Sequence, residues 1–370
     1  MPKRRVLLLL KKYNHPAYEG IIAYAREHGW HLELRYDFYR QLPDEWHGHG
    51  IISHHSDDPE MVELIRRSGT PTVDIGFRSE RLQTPQVWQD SEAIGKMAAE
   101  YFLAKGFQHF GFYKVFPRIG EFPWNFLRYK SFKDTVEAQG CSCTGLGAAM
   151  PKVSKQLCEA PKPLAVLANN DLDALTILDL CEEADLRIPE EVAVLGVDNN
   201  PDFCELARIP LSSIDSNGWQ IGYDAARLLD RLIDGEPAPP EPILVAPGNV
   251  ITRQSTDILA VPHLPTARAL RLLMENFENA NLDLNAVATK ARLSRRNLEA
   301  GFHRHLGHSM HDYLEKIRLD KAVELLENAD FTNYKGYEIA AMCGFSNNNH
   351  LTRTLKKHYG KSLRQMRTDS

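Results

Sequence analysis

Asn169-Asn170-Asp171 and Asp198-Asn199-Asn200 each follow a short continuous apolar run, Leu164–Ala168 in one case and Val192–Val197 in the other. Runs of this kind read as parallel strands buried between two helical layers. Open α/β sheets bind ligands beyond the carboxyl ends of such strands. Short carboxamides and carboxylates placed there can pair with several hydroxyls at once, which suits a sugar better than a phosphate. The same residues also suit structural work, Asp171 as a helix cap and Asp198-Asn-Asn-Pro201 as a turn. A second set lies near the other end of the chain: Arg295, Arg296 and Asn297, then Asn347, Asn348, Asn349, His350 and Arg353. Arginine can grip guanine in a bidentate manner and asparagine can do the same to adenine, so these types are suited to reading DNA bases. Asparagine tolerates turn geometry as well, and part of the 347–349 run is expected only to shape a turn.

What places the second set is a repeat. Ala288-Thr-Lys-Ala-Arg-Leu-Ser294 leads into a helix carrying Leu298 and Phe302, then Gly307-His-Ser309. Ala340-Ala-Met-Cys-Gly-Phe-Ser346 leads into a helix carrying Leu351 and Leu355, then Gly360-Lys-Ser362. The offset is 52 residues for Ala288/Ala340 and 53 from Phe302/Leu355 onward, so the second copy has one extra residue at its turn. In each copy a small alanine lets two helices cross closely, and a Ser N-cap is expected at Ser294. Leu298 and Phe302, four apart, turn the apolar stripe of the second helix inward. Arg295, Arg296 and Asn297 are then left on the exposed first turn, where a recognition helix reaches base edges. A helix over 310–328 joins the copies. Arg292 stands where the second turn has Gly344, and a positive φ there would cost on the order of 1 kcal/mol.

The charge is divided in the same way. The chain of 370 residues has a net charge of −5, yet residues 263–370 hold 17 Lys+Arg against 12 Asp+Glu. The preceding 262 residues hold 27 basic and 37 acidic side chains. A basic module appended to an acidic body fits nucleic acid at one end and a non-anionic ligand at the other. Length alone allows two or three domains. The six cysteines, at 141, 143, 158, 181, 204 and 343, form no CxxC pair, so reduced thiols in a cytoplasmic protein are expected. The apolar run after Lys3-Arg4-Arg5 is too short for a signal core and reads as a buried first strand. No membrane span is expected.

Enzymatic readings find little support. Gly145-Leu-Gly147 lacks the third glycine of a dinucleotide loop, and no nucleophile elbow, Walker loop or His-Glu-x-x-His helix occurs. His303, His305, His308 and His311 straddle Gly307 at spacings that do not repeat on one helix face, with no carboxylate or Cys to complete a metal set. No catalytic residue, metal or cofactor is expected. The competing reading is a sugar-binding or sugar-modifying protein whose C-terminal bundle is a docking module; the duplicated turns favour a DNA-binding regulator.

Along the first 258 residues, strand-like runs alternate with helical patterns, which implies βαβ units. Strands are expected at 6–10, 50–53, 72–75, 110–115, 164–168 and 192–197, with helices over 18–28 and 129–138 and a helix after Asp90 or Ser91. Several motifs in this region, in order, resemble the LacI/GalR-type ligand-binding domain. They are Val87…Asp90…Ile94-Gly95, Arg128-Tyr-Lys-Ser-Phe132, Ala168-Asn-Asn-Asp171, Ile188–Asp198, Leu211-Ser-Ser-Ile214, Gly222…Ala225-Ala226 and Arg253-Gln-Ser-Thr256. The resemblance implies a two-lobed, periplasmic-binding-protein-like α/β fold that closes on a small ligand and pairs into a dimer. It also implies that Asp90, Arg128, Asn170 or Asp171, and Asp198 line the cleft. The family's usual N-terminal DNA-binding headpiece has no counterpart before a strand that starts at residue 6, so the reader is expected elsewhere.

Residues 266–367, with Phe302-His-Arg-His-Leu-Gly307 and Leu355-Lys-Lys-His-Tyr-Gly360, resemble the AraC/XylS-type DNA-binding domain. That resemblance implies two helix-turn-helix units entering successive major grooves on one face of duplex DNA. The expected organisation is a sensor over 1–258, a linker over 259–265 and an all-α reader over 266–370. The pairing of the two parts resembles regulators of xylose operons, which implies a pentose effector, xylose first, and an operator with RNA polymerase as a further partner.

Overall fold

The computed structural model describes residues 4–10, 15–36, 41–54, 58–76, 82–113, 123–147, 149–258, 261, 263–327, 334–360 and 363–368. Within them the chain divides into two compact units, Met1–Asp257 and Ile258–Ser370.

The continuous apolar run after Arg5 forms β1 (Arg5–Leu9), and alternation along it explains why no polar residue interrupts it. Val6 and Leu8 pack with Ile21 and Tyr24 of α1 (His15–Glu27) on one face of the sheet. Leu7 and Leu9 pack on the other with Met61 and Ile65. A strand covered on both faces must be apolar at every position. β2 (His31–Glu33), β3 (Gly50–Ser53), α2 (Pro59–Ser68) and β4 (Thr72–Asp74) complete a parallel sheet of order β2-β1-β3-β4. A bridge from Asp74 to Gln86 carries it on to β5 (Val87–Gln89).

After α3 (Ser91–Ala104) the chain builds a second sheet. Its elements are β6 (His109–Tyr113), α4 (Pro123–Glu137), β7 (Ser142–Leu146), α5 (Met150–Glu159), β8 (Leu164–Ala168), α6 (Asp171–Glu183), β9 (Val192–Val197), α7 (Pro201–Cys204) and β10 (Ser212–Ile214). The chain returns to the first sheet through α8 (Gly218–Ile233), which packs against α1, and β11 (Ile243–Val245), which pairs with β5. It ends on the second sheet with β12 (Val250–Ile251), antiparallel to β10. The second sheet therefore has the order β12-β10-β9-β8-β6-β7. This is the two-lobed α/β fold expected from the sequence, with three described segments, 90, 215–217 and 246–249, crossing between sheets. β8 and β9 have the limits read from their apolar runs. Expected strand residues 114 and 115 lie outside the described residues.

The second unit is all helical: α9 (Leu264–Asn276), α10 (Leu284–Lys290), α11 (Arg295–Leu306), α12 (Met310–Glu327), α13 (Gly336–Met342), α14 (Asn348–Tyr359) and α15 (Leu363–Thr368). The repeat becomes α10-turn-α11 and α13-turn-α14. α9 starts before Pro265, because proline in a first helical turn lacks only an N–H that has no helical partner there. The expected 259–265 linker is thus already helical at its last two residues, and 259, 260 and 262 lie outside the described residues. Ala288 and Ala340 are buried at the helix crossings. α12 serves the second copy, with Leu319, Ala322 and Leu326 packed on Ile339, Leu351 and Leu355.

Candidate functional site

The strand ends of the first unit converge on a cavity of about 230 Å³ lined by residues from both sheets. That is below the roughly 300–1,000 Å³ of sites for drug-sized ligands, and it suits a molecule of a few rings or fewer. Past β8 stand Asn169 and Asn170, past β9 Asp198 and Asn200, and at the end of β5 Trp88 and Gln89. His54 and Ile75 come from just beyond β3 and β4, while Ser216 comes from a crossing segment and Gly218 is the first residue of α8. Trp124 and Arg128, four apart on α4, share one helix face, and the guanidinium lies 5.5 Å from the indole centroid.

Arg128 is buried, at 1% exposure. Its Nη1 donates to the Asn169 carbonyl, but Nε and Nη2 have no hydrogen-bond partner among the described residues. Buried donors are almost always paired, so two orphans at a cavity wall point to a ligand that accepts from them. Asn169 is itself held by Asn125, whose Nδ2 donates to Asn169 Oδ1 at 2.6 Å. Burial lowers the Arg128 pKa to about 10, opposed by the charges of Asp198 and Asp171. Asp198 stays partly accessible at the wall, and burial pushes its carboxyl up to about 6 against the pull of Arg128 and a Ser216 hydrogen bond. One guanidinium and one carboxylate leave the lining close to neutral. Such a wall offers donors and acceptors to a polyol and no net attraction to an ion.

Of the five expected cleft residues, the structure brings Arg128, Asn170 and Asp198 together around the cavity. Asn170 does double work, since its side chain also accepts from Asp173 N at 2.8 Å as the N-cap of α6. Asp90 is absent from the lining and caps α3, accepting from Ala93 N at 2.9 Å. Asp171 is fully buried behind the wall. Asn169 and Asn200, read from the sequence as part of the same two strand-end clusters, also line the cavity, whereas sequence reasoning missed Trp88, Gln89, Trp124, Ser216 and His54. Trp124 could have been found from its i−4 spacing to Arg128, and His54 from its place just past a strand end.

In the second unit, Ser294 and Asn347 cap α11 and α14, accepting from Asn297 N (3.3 Å) and His350 N (2.8 Å). Asn347 is therefore occupied in shaping the turn. Arg295 is half-buried and engaged, 3.3 Å from Glu299 Oε1 and 3.3 Å from Asn285 Oδ1. His350 stands edge-on to Phe345, with centroids 5.2 Å apart. Arg296, Asn297, Asn348, Asn349 and Arg353 are exposed on the two second helices, as base-reading groups must be. Arg292 does take φ +61, matching Gly344 at φ +74. Sequence reasoning missed Arg318 of α12, which is buried and donates to the carbonyls of Phe277 (2.8 Å) and Asn279 (2.7 Å). Among the described residues no group of three metal-binding side chains occurs, and His305 stacks on His263 at 5.7 Å. No described helix is long and apolar enough to cross a membrane.

Residues 99–256 match the periplasmic binding protein-like domain family, and residues 287–369 match a helix-turn-helix domain family. The chain is 28% identical to the xylose operon regulatory protein of Escherichia coli (strain K12), over 99% of this chain and 97% of that one. It is 25% identical to the protein of the same name from Haemophilus influenzae, over 96% and 95%. A solved structure of the xylose-binding transcription activator XylR superposes with a TM-score of 0.69 at 26% identity, covering 100% of this chain and 99% of that one. The chain is XylR-like: a periplasmic-binding-protein-like domain joined to a helix-turn-helix domain, as in the xylose operon regulatory proteins it resembles over nearly its whole length.

Proposed function

We propose that this chain is a sugar-responsive, sequence-specific transcriptional regulator, with D-xylose or a closely related pentose as its effector. The observation that carries the reading is the cavity holding two unpaired Arg128 donors beside Asp198, in the same chain as two helix-turn-helix units. Xylose itself is favoured by the names of the relatives, and the small, near-neutral cavity supports it. The protein acts as a regulator and not as an enzyme, in the cytoplasm, on an operator in duplex DNA with RNA polymerase as a further partner. Arg128, Asn170 and Asp198 are the proposed sugar contacts, and Arg296, Asn297, Asn348, Asn349 and Arg353 the proposed DNA contacts.

A fragment of residues 260–370 is expected to retain duplex DNA with strong salt dependence, because phosphate neutralisation dominates such binding. In that fragment Arg296→Ala should cost about 1–3 kcal/mol and relax preference at one base pair. Gel-shift titrations against duplexes selected from a random pool measure both. Equal loss on every sequence would make Arg296 a phosphate contact, and no loss would remove it from the interface.

We further propose that the sensor, residues 1–258, pairs into a dimer, which would set four helix-turn-helix units on an operator with two similar half-sites. Sedimentation of residues 1–258 at micromolar concentration should show a dimer. A monomer there would count against the pairing.

A further inference from the structure

Asp171 follows a strand end, as a ligand-binding carboxylate would, yet it lies behind the cavity wall, fully buried. Its carboxylate accepts from the Ser213 hydroxyl at 2.5 Å and from the Asn200 backbone N–H at 2.7 Å, with the Cys204 thiol at 3.4 Å. Ser213 Oγ in turn accepts from the Asn199 N–H at 3.0 Å. The loop held in this way is an unusual one. Asp198 has φ +105 and Asn199 φ +48, left-handed conformations that residues with a β-carbon adopt only when the surroundings impose them. Space for the carboxylate is built in, since a β-carbon at Gly196 would collide with Asp171 Oδ1.

We propose that Asp171 is a positioning residue for the ligand site. With Ser213 it clamps the 198–200 loop in its left-handed form, and that form aims the Asp198 carboxylate into the cavity beside Arg128. Asp171 itself does not touch the sugar. The proposal rests on reading the cavity as a sugar site.

Asp171→Asn keeps the shape and one acceptor oxygen. Its new amide N–H group then faces either the Asn200 N–H or a Ser213 hydroxyl whose oxygen already serves Asn199. Two readouts on the full-length protein test the clamp. The first is calorimetry with D-xylose on wild type, Asp171→Asn, Asp198→Asn and the double variant. Asp171→Asn should lose about tenfold in affinity, and the double variant should bind no more weakly than Asp198→Asn alone, because neighbours acting as one unit are not additive. The second is amide hydrogen exchange without sugar, where the Asn199 and Asn200 amides should exchange faster in Asp171→Asn. Should that variant not fold, Ser213→Ala removes the other half of the clamp and is expected to show the same non-additivity and the same faster exchange. Wild-type affinity in Asp171→Asn, additive losses, or unchanged exchange at 199 and 200 would each overturn the clamp. Failure of the wild type to bind D-xylose would count against the sugar reading, and the exchange measurement would still decide the role of Asp171.

Discussion

Arg128→Ala is expected to abolish most of the response to sugar while leaving DNA binding in its absence unchanged. The guanidinium is buried, and the sugar is the partner proposed for its two unpaired donors. Removing it leaves the acceptors of the ligand unpaired in a dry site and leaves Asp198 without its compensating charge. A lost charged hydrogen bond of this kind costs about 1–3 kcal/mol, or roughly 5- to 150-fold in affinity. Asp198→Ala should fall in the same range, since it removes the acceptor on the same wall. Calorimetry with a panel of pentoses and hexoses is the check. Wild-type affinity in both variants would show that the site lies elsewhere.

Gly344→Ala should damage the second helix-turn-helix far more than its size suggests. Gly344 has φ +74, and an added β-carbon would run into the Phe277 carbonyl and come within 2.9 Å of Arg318 Nε. Those two groups are themselves hydrogen-bonded at 2.8 Å, so the methyl lands on a buried staple between α12 and the end of α9. Left-handed strain and a weakened charged hydrogen bond together are worth on the order of 3 kcal/mol. Arg292, at φ +61, occupies the equivalent turn of the first copy with its side chain exposed. Arg292→Gly should therefore gain about 0.5 kcal/mol, the relief of strain less the extra chain entropy of glycine. Thermal unfolding of the two variants should move in opposite directions. A Gly344→Ala protein as stable as the wild type would contradict the packing at this turn.

The elements that bury both faces were legible in the sequence, because a covered strand such as Val192–Val197 must be apolar throughout. The repeat was legible for a related reason: Ala288 and Ala340 at the buried crossings, and Gly307 and Gly360 at the helix ends, each answer the same local geometry, while the extra residue of the second turn passes the cap from the Ser346 position to Asn347. What sequence could not assign was the division of labour among residues of one chemical type. Asp90, Asp171 and Asp198 all sit next to helix starts or strand ends. Only the tertiary fold turns Asp198 into the cavity, spends Asp90 on a cap and sets Asp171 behind the wall. Arg295 and Arg296 likewise share a helical turn, and Glu299, four residues on, decides which of them is engaged within the domain. Trp88 escaped notice because an isolated Trp has no spacing signature; Trp124 had one, its place four residues before Arg128 on the same helix, which was not used.

The most direct test of the whole account is linkage between the two sites of the intact protein. D-Xylose affinity is measured by calorimetry with and without a saturating duplex selected by the full-length chain, and DNA affinity is measured with and without D-xylose. Binding at two coupled sites must change by the same factor in both directions. The account predicts a reciprocal change of several-fold or more in the wild type and none in Arg128→Ala, which should still bind the duplex. Tight binding of both ligands with no mutual effect in the wild type would contradict a sugar-responsive regulator.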